Sequence, residues 1–301
     1  MSSVAYWPAA GPVQATISHF KAYQSTWLVC QLSKRKGADM AVDSRSGIRD
    51  MYLRIYETAQ ADPETRWLLS YVQDLAPGWS RSVHVGIPER YARVGDGCLV
   101  PFRALEADVA PITPRAEPSR VRVSTADPVL ARAAVRDLHR IRPAQYLDAL
   151  DLAEGRLDLA AISAQWREAG LQRRREMFVA HVDGVRSALA VAEVAEPGVH
   201  LYGLMDCLRM YPLRSGGELC FGALLAEAKQ WFARQNRDRF AYLEEFPVDA
   251  RELGTPFRDL GSATLTLLSV DRIPELLRRV SDLASRRPLP RFVLPEAHAQ
   301  S

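Results

Sequence analysis

The sequence predicts an α/β chain in two parts, and three observations carry that expectation. Apolar β-rich runs alternate with amphipathic helical stretches along most of the length. One segment, Asp108 to Arg120, holds three prolines and no helical rhythm, which marks an extended connection. A chain of 301 residues with 48% hydrophobic and 25% charged side chains is large enough and apolar enough to bury sizeable cores. The expected division is an N-terminal α/β unit over 1–107, a linker over 108–120, a larger domain over 121–284 and a proline-rich tail over 285–301.

Within the larger part, RVRVSTAD opens with a strand, and Asp127 is placed to cap the next helix. Pro128 suits the first helical position, where its missing N–H would have no partner in any case. PVLARAAVRDLHRI carries the helical apolar rhythm, and Leu157 to Leu171 gives a second helical region with Leu159, Ile162 and Trp166 near one face. MFVAHVDGVRSALAVAEVA reads as a hairpin turned at Asp183 and Gly184. GSATLTLLSV, near residue 265, supplies a final strand.

Between these lies the most informative stretch, His200 to Phe246. HLYGLMDCLRMYPL is an apolar strand candidate, and Gly216 with Gly217 forms a turn. Phe221, Leu224, Leu225, Ala228, Trp231 and Phe232 then fall on one helical stripe, with Lys229 among the polar positions. RFAYLEEF follows as a buried strand. A helix entered from a glycine turn offers free N–H groups and the positive end of its dipole to a phosphate, and Arg214 adds charge there. A tight connection without any ligand is the other reading of the same glycines.

This order resembles the GNAT superfamily of N-acyltransferases, which run strand, two helices, three antiparallel strands, helix, strand, helix, strand. The resemblance covers roughly the C-terminal half. In that family the helix after the fourth strand begins with a Q/R-x-x-G-x-G/A signature whose amides hold the pyrophosphate of acetyl-CoA. Arg214 and Gly217 match its first and fourth positions, and Leu219 departs from its sixth. FVAHVDG and RELGTPFRDLG echo family phrases in the second strand and before the last strand.

The resemblance implies an α/β (α+β) fold with a mixed, largely antiparallel sheet flanked by helices, beside a second, smaller α/β unit. It further implies acetyl-CoA or a longer acyl-CoA as substrate and an amine as acceptor. Leu208 and Met210 would lie along the pantetheine arm, between a fourth and a fifth strand that splay apart. Arg214, Ser215, Gly216, Gly217, Glu218 and Leu219 would surround the pyrophosphate.

The implied reaction is attack of an amine on a thioester, which needs a proton acceptor and a stabilised oxyanion. Glu244, Glu245 and Asp206 are the carboxylates on the two strands at that place. Adjacent strand residues point to opposite faces, so one of Glu244 and Glu245 faces the cleft. Ordinary pairing with arginine is the alternative for each. The tyrosine that often protonates the CoA thiolate in this family has no counterpart in VDARELGTPF. Two functions therefore stay open: an N-acyltransferase, or a non-catalytic GNAT-like binding or regulatory module in a signalling assembly.

In the N-terminal part, VQATISHFKAYQSTW is expected to lead from strand into helix, GIRDMYLRIYETAQ to form an amphipathic helix and RWLLSYVQDL a buried strand. The unit reads either as a degenerate GNAT-like repeat, with Gln24 to Trp27 in place of the phosphate loop, or as a plain accessory segment. His84 is expected on a partly exposed strand face, with the same expectation for His19 and His181. QRRRE, from Gln172, is expected to be a solvated turn.

A net charge of +3 from 39 basic and 36 acidic residues implies no strong attraction to nucleic acid. Neither a membrane span nor a secretion signal is apparent, so a cytoplasmic protein is expected. Cys30, Cys98, Cys207 and Cys220 lack C-x-x-C spacing, so no metal site or thiol pair is expected. The sequence leaves the acceptor, the acyl length, any protein partner and a homo-oligomeric state open.

Overall fold

Alternating and continuous apolar runs become strands of one sheet, described in a computed structural model for residues 2–7, 12–30, 33–34, 44–76, 78–110, 120–199, 203–249 and 253–286. The first half contributes β1 (Ser2–Trp7), β2 (Ala15–Tyr23), β3 (Thr26–Val29), the two-residue β4 (Ser33–Lys34), α1 (Ser44–Ala61), β5 (Trp67–Gln73), α2 (Gly78–His84), α3 (Gly86–Tyr91) and β6 (Gly97–Asp108). The second half contributes β7 (Val121–Thr125), α4 (Pro128–Leu138), α5 (Ala144–Ala149), α6 (Ala160–Glu168), β8 (Arg173–Val182), β9 (Val185–Ala195), β10 (Cys207–Pro212), α7 (Phe221–Arg234), β11 (Arg239–Glu244), β12 (Arg258–Ser269) and α8 (Ile273–Arg286).

The sheet has 12 strands in the order β1-β2-β3-β5-β12-β6-β11-β10-β9-β8-β7, with β4 paired to β2. Two neighbouring pairs, β3/β5 and β10/β11, are parallel, and the others are antiparallel. From β7 to β12 the chain runs strand, three helices, three antiparallel strands, helix and two strands, one helix more before the hairpin than the resemblance implies, and Asp127 accepts hydrogen bonds from the amides of Val129 and Leu130 to cap α4. The hairpin turns at Asp183 and Gly184, both with positive φ. Among the described residues no helix separates β11 from β12.

The two halves share one connection pattern. In the first, β1, β2 and β3 run antiparallel and α1 crosses to β5, parallel to β3. In the second, β8, β9 and β10 run antiparallel and α7 crosses to β11, parallel to β10. The closing strands are exchanged: β6 pairs with β11 and β12 pairs with β5, while β6 and β12 pair with each other at the centre.

Helices pack on both faces of the sheet. Helices α4 to α6 pack with Phe20, Leu69, Phe102, Val179 and Val191 on one face. On the other, α7 packs over Phe178, Leu208 and Tyr242, and α1 with α8 packs over Ile17, Trp27 and Leu68.

Three local expectations are corrected. Ala15 to Val29 is a hairpin rather than a strand entering a helix: Gln24 and Ser25 turn the chain, and Tyr23 pairs with Thr26. The crossover helix of the first half is α1, so Gln24 to Trp27 is not its entry. His84 ends α2 and is not on a strand, and its Nε2 lies 2.9 Å from the Tyr52 hydroxyl. Residues 111–119 of the expected linker and 287–301 of the expected tail lie outside the described residues.

Candidate functional site

The opening implied by the resemblance sits between β10 and β11. These strands pair at Cys207/Ala241 and Leu208/Tyr242, and the pairing goes no further although both strands continue. On its other side β10 is paired with β9 as far as Pro212. The backbone of Arg209 to Pro212 therefore has a ladder partner on one side only. Leu208 and Met210 point to the α7 face and are buried.

The chain then enters α7 through a single 3₁₀ turn, Gly217–Cys220. Gly216 adopts φ +77°, and Gly217 is pressed against β9: a Cβ there would stand 2.1 Å from the Ser187 carbonyl oxygen. The glycine pair thus has a packing reason of its own, because a side chain at 217 would collide with main chain. Gly217 donates its amide to Arg214 and Leu219 donates to Gly216. Arg214, Ser215, Glu218 and Leu219 are exposed at this mouth. Lys229, expected on the polar side of α7, is buried and donates to Thr255 at 2.6 Å.

Glu245 follows the end of β11, beside the part of β10 that β11 leaves unpaired, on the α5 face. Its Oε2 accepts two hydrogen bonds from Arg142, at 3.0 and 2.8 Å, and Oε1 accepts from the Tyr146 hydroxyl at 2.5 Å. The Tyr211 hydroxyl is 2.8 Å from that of Tyr146, and the Arg142 guanidinium stacks 4.2 Å over Phe246. Burial pushes the Tyr146 phenol well above its ordinary range, with the Glu245 charge acting in the same direction. Two phenols and a guanidinium thus fill the space beside this carboxylate.

Glu244, one residue earlier, points to the opposite face and is buried, with the Val248 amide 3.3 Å from its Oε1. Asp206 precedes β10, where it accepts from the Ala195 amide at 2.8 Å and from Arg237 Nε at 2.9 Å. Burial raises its carboxyl pKa, and those two donors oppose the shift. Cys207 is buried, and loss of solvent pushes its thiol up to about 11, with Arg209 opposing, so it is held as a thiol at neutral pH.

Next to Glu245 is a charge cluster that the sequence reading did not identify. Glu193 is completely buried and is contacted by Arg173 at 2.6 Å, by Arg175, and by the Tyr23 hydroxyl at 2.8 Å. Burial opposes its ionisation, yet Arg173, Arg175 and Arg209 outweigh that and hold the carboxyl well below the usual range. Arg209 in turn donates to the Tyr71 hydroxyl at 2.6 Å and lies 3.6 Å from Glu245. The expected solvated turn at QRRRE is corrected accordingly, since Arg173 and Arg175 are buried cluster members. The signal lay in the alternation of Arg173 with Arg175 on one strand face.

Among the described residues no group of three or more His, Cys, Asp or Glu is arranged to hold a metal ion. No helix among them is long and apolar enough to cross a membrane.

No protein-family profile matches the chain, and no curated protein does. Solved structures with a similar course include a GCN5-related N-acetyltransferase from Sphaerobacter thermophilus, at 11% identity over 86% of this chain and 78% of that one, with a TM-score of 0.44. One from Kribbella flavida is 12% identical over 87% of this chain and 88% of that one, with a TM-score of 0.43. A tandem GNAT protein from the clavulanic acid biosynthesis pathway is 13% identical over 89% and 83%, with a TM-score of 0.43.

Proposed function

We propose that this chain is an N-acyltransferase of the GNAT type that takes its acyl group from acetyl-CoA or a longer acyl-CoA. One observation carries the reading: two parallel strands stop pairing after two residue pairs, and a glycine-entered helix opens at their mouth. In this reading the unpaired edge of β10 from Arg209 to Pro212 receives the pantetheine amides, beside Leu208 and Met210. Arg214 and the amides of Ser215, Gly216 and Glu218 meet the pyrophosphate. The amides of Gly217 and Leu219 stay within the turn.

Among the three carboxylates, Glu244 is assigned the proton from the attacking ammonium. Glu245 and Asp206 serve as anchors, because each is already bonded to an arginine and to a second donor. A cytoplasmic setting, where CoA thioesters are available, fits this assignment. We divide the chain at the expected linker, with the closing strands crossing between the parts.

A second reading has an observation of its own. With Glu245 and Asp206 consumed by ion pairs, a module that binds a thioester without turning it over would show the same geometry. Thiol release from acetyl-CoA and palmitoyl-CoA, followed with and without a panel of amines, separates the two. Amine-dependent release that falls at least about a hundredfold in Glu244→Gln, the lower end for loss of a general base, supports transfer. Thioester binding with no release under any amine supports the module.

A further inference from the structure

The face that carries α4 to α6 is not covered along its whole length. On β2, Trp166 of α6 packs edge-on against Phe20 and donates to the Lys21 carbonyl at 2.9 Å, whereas Thr16 and Ser18, earlier on the strand, stay half-exposed. A cavity of about 580 Å³ opens there, across β2, β5, β12 and β6. Strand alternation brings Ser18, Tyr71, Phe102 and Ala263 to its floor, where Tyr71, Phe102, Leu204 and Leu260 supply an apolar strip beside the polar side chains of Thr16 and Gln73.

Its rim is charged. Glu106 of β6 accepts from Arg239 at 3.3 Å and from Arg258 at 2.8 Å. Among the described residues Glu106 is the one acid lining this cavity, so two guanidiniums share a single carboxylate and leave a surplus positive charge there. Each guanidinium has five N–H donors in a fixed fork and commits a minority of them to Glu106, which leaves geometry suited to a second oxyanion. A volume in this range suits a small molecule that lays an apolar part on the apolar strip and is oriented by the polar groups around it.

We propose that this cavity binds a small amphiphilic anion, an apolar body capped by a single carboxylate or phosphate, with Arg239 and Arg258 gripping the head group. The site is separate from the β10/β11 opening: Arg239 begins β11 and Glu244 ends it, about 17 Å apart at the rise of a strand. The inference holds or fails independently of acyl transfer.

Calorimetry on the full chain with octanoate, octyl phosphate, octanol and acetate tests it. The better of the two amphiphilic anions is expected to bind with a Kd below about 1 mM. Octanol and acetate are each expected to bind at least about tenfold more weakly, since one lacks the charge and the other the body. The preference between octanoate and octyl phosphate identifies the head group. Arg258→Glu, at a side chain 64% exposed and directly opposite Glu106, should abolish binding with only a small fall in melting temperature from the new like-charge pair. Ser18→Phe should fill the cavity on a strand that accepts aromatics. Ser215→Glu, at the thioester mouth, should leave octanoate binding untouched. If neither anion binds below about 10 mM, if octanol matches octanoate, or if Arg258→Glu binds as the parent does, the proposal is overturned.

Discussion

At Glu245 the carboxylate that strand alternation offers as a base is instead tied to Arg142 and Tyr146. Removing one partner of a buried ion pair leaves the other charge unpaired, so Arg142→Ala is expected to lower stability by about 3–5 kcal/mol, read from denaturant midpoints. Two histidines give a pH signature. His19, whose ring nitrogens have no hydrogen-bond partner among the described residues, and His84 are each pushed down to about 4 by burial. Unfolded histidine titrates near 6.5, so between these values the unfolded chain holds more protons and stability rises with pH. Their contribution is complete above about pH 6.5 and lost as pH falls through about 4, with a slope near 1.4 kcal/mol per pH unit for each group. His19→Leu should remove one such share from stability curves measured between pH 7 and 4.5, and an unchanged slope would contradict the assignment. Glu193, held low by three arginines, adds a further loss that begins below about pH 5 and continues in stronger acid. The arginine alternation was legible in the sequence but its partner was not, because Arg173 and Glu193 meet through strand register rather than through spacing.

At the scale of elements, local patterns read best where local chemistry decides. The Asp127–Pro128 helix start, the Asp183–Gly184 hairpin and the α7 stripe all depend on residues within a few positions of one another. The hairpin of β2 and β3 was misread because the turn at Gln24 and Ser25 has no glycine or proline, so nothing local announced the reversal. The entry to α7 illustrates a glycine that serves packing first. Gly217→Ala is expected to cost about 1–3 kcal/mol through the clash with Ser187, whatever it does to a ligand. The exposed Ser215 therefore gives the cleaner probe of phosphate binding, since its substitution touches no packed atom of β9.

For the whole molecule, the exchange of β6 and β12 ties the two halves together. Contacts between the halves reinforce it: Trp67 donates to Asp148 at 2.7 Å, Thr26 to the Ala149 carbonyl at 2.7 Å, and Tyr23 to Glu193. Scanning calorimetry is accordingly expected to show one cooperative transition, and two resolved transitions would contradict that coupling. No sequence pattern could reveal the exchange, because either closing strand satisfies the same alternation beside β5 or β11. The function proposed for this architecture depends on a thioester reaching the mouth of α7. Calorimetry of acetyl-CoA and palmitoyl-CoA against the parent chain and Ser215→Glu tests that most directly. Saturable binding of at least one thioester at micromolar concentration, weakened at least about tenfold by the added charge, is the expected result. Absence of binding at high micromolar concentration, or equal affinity in both proteins, would contradict it.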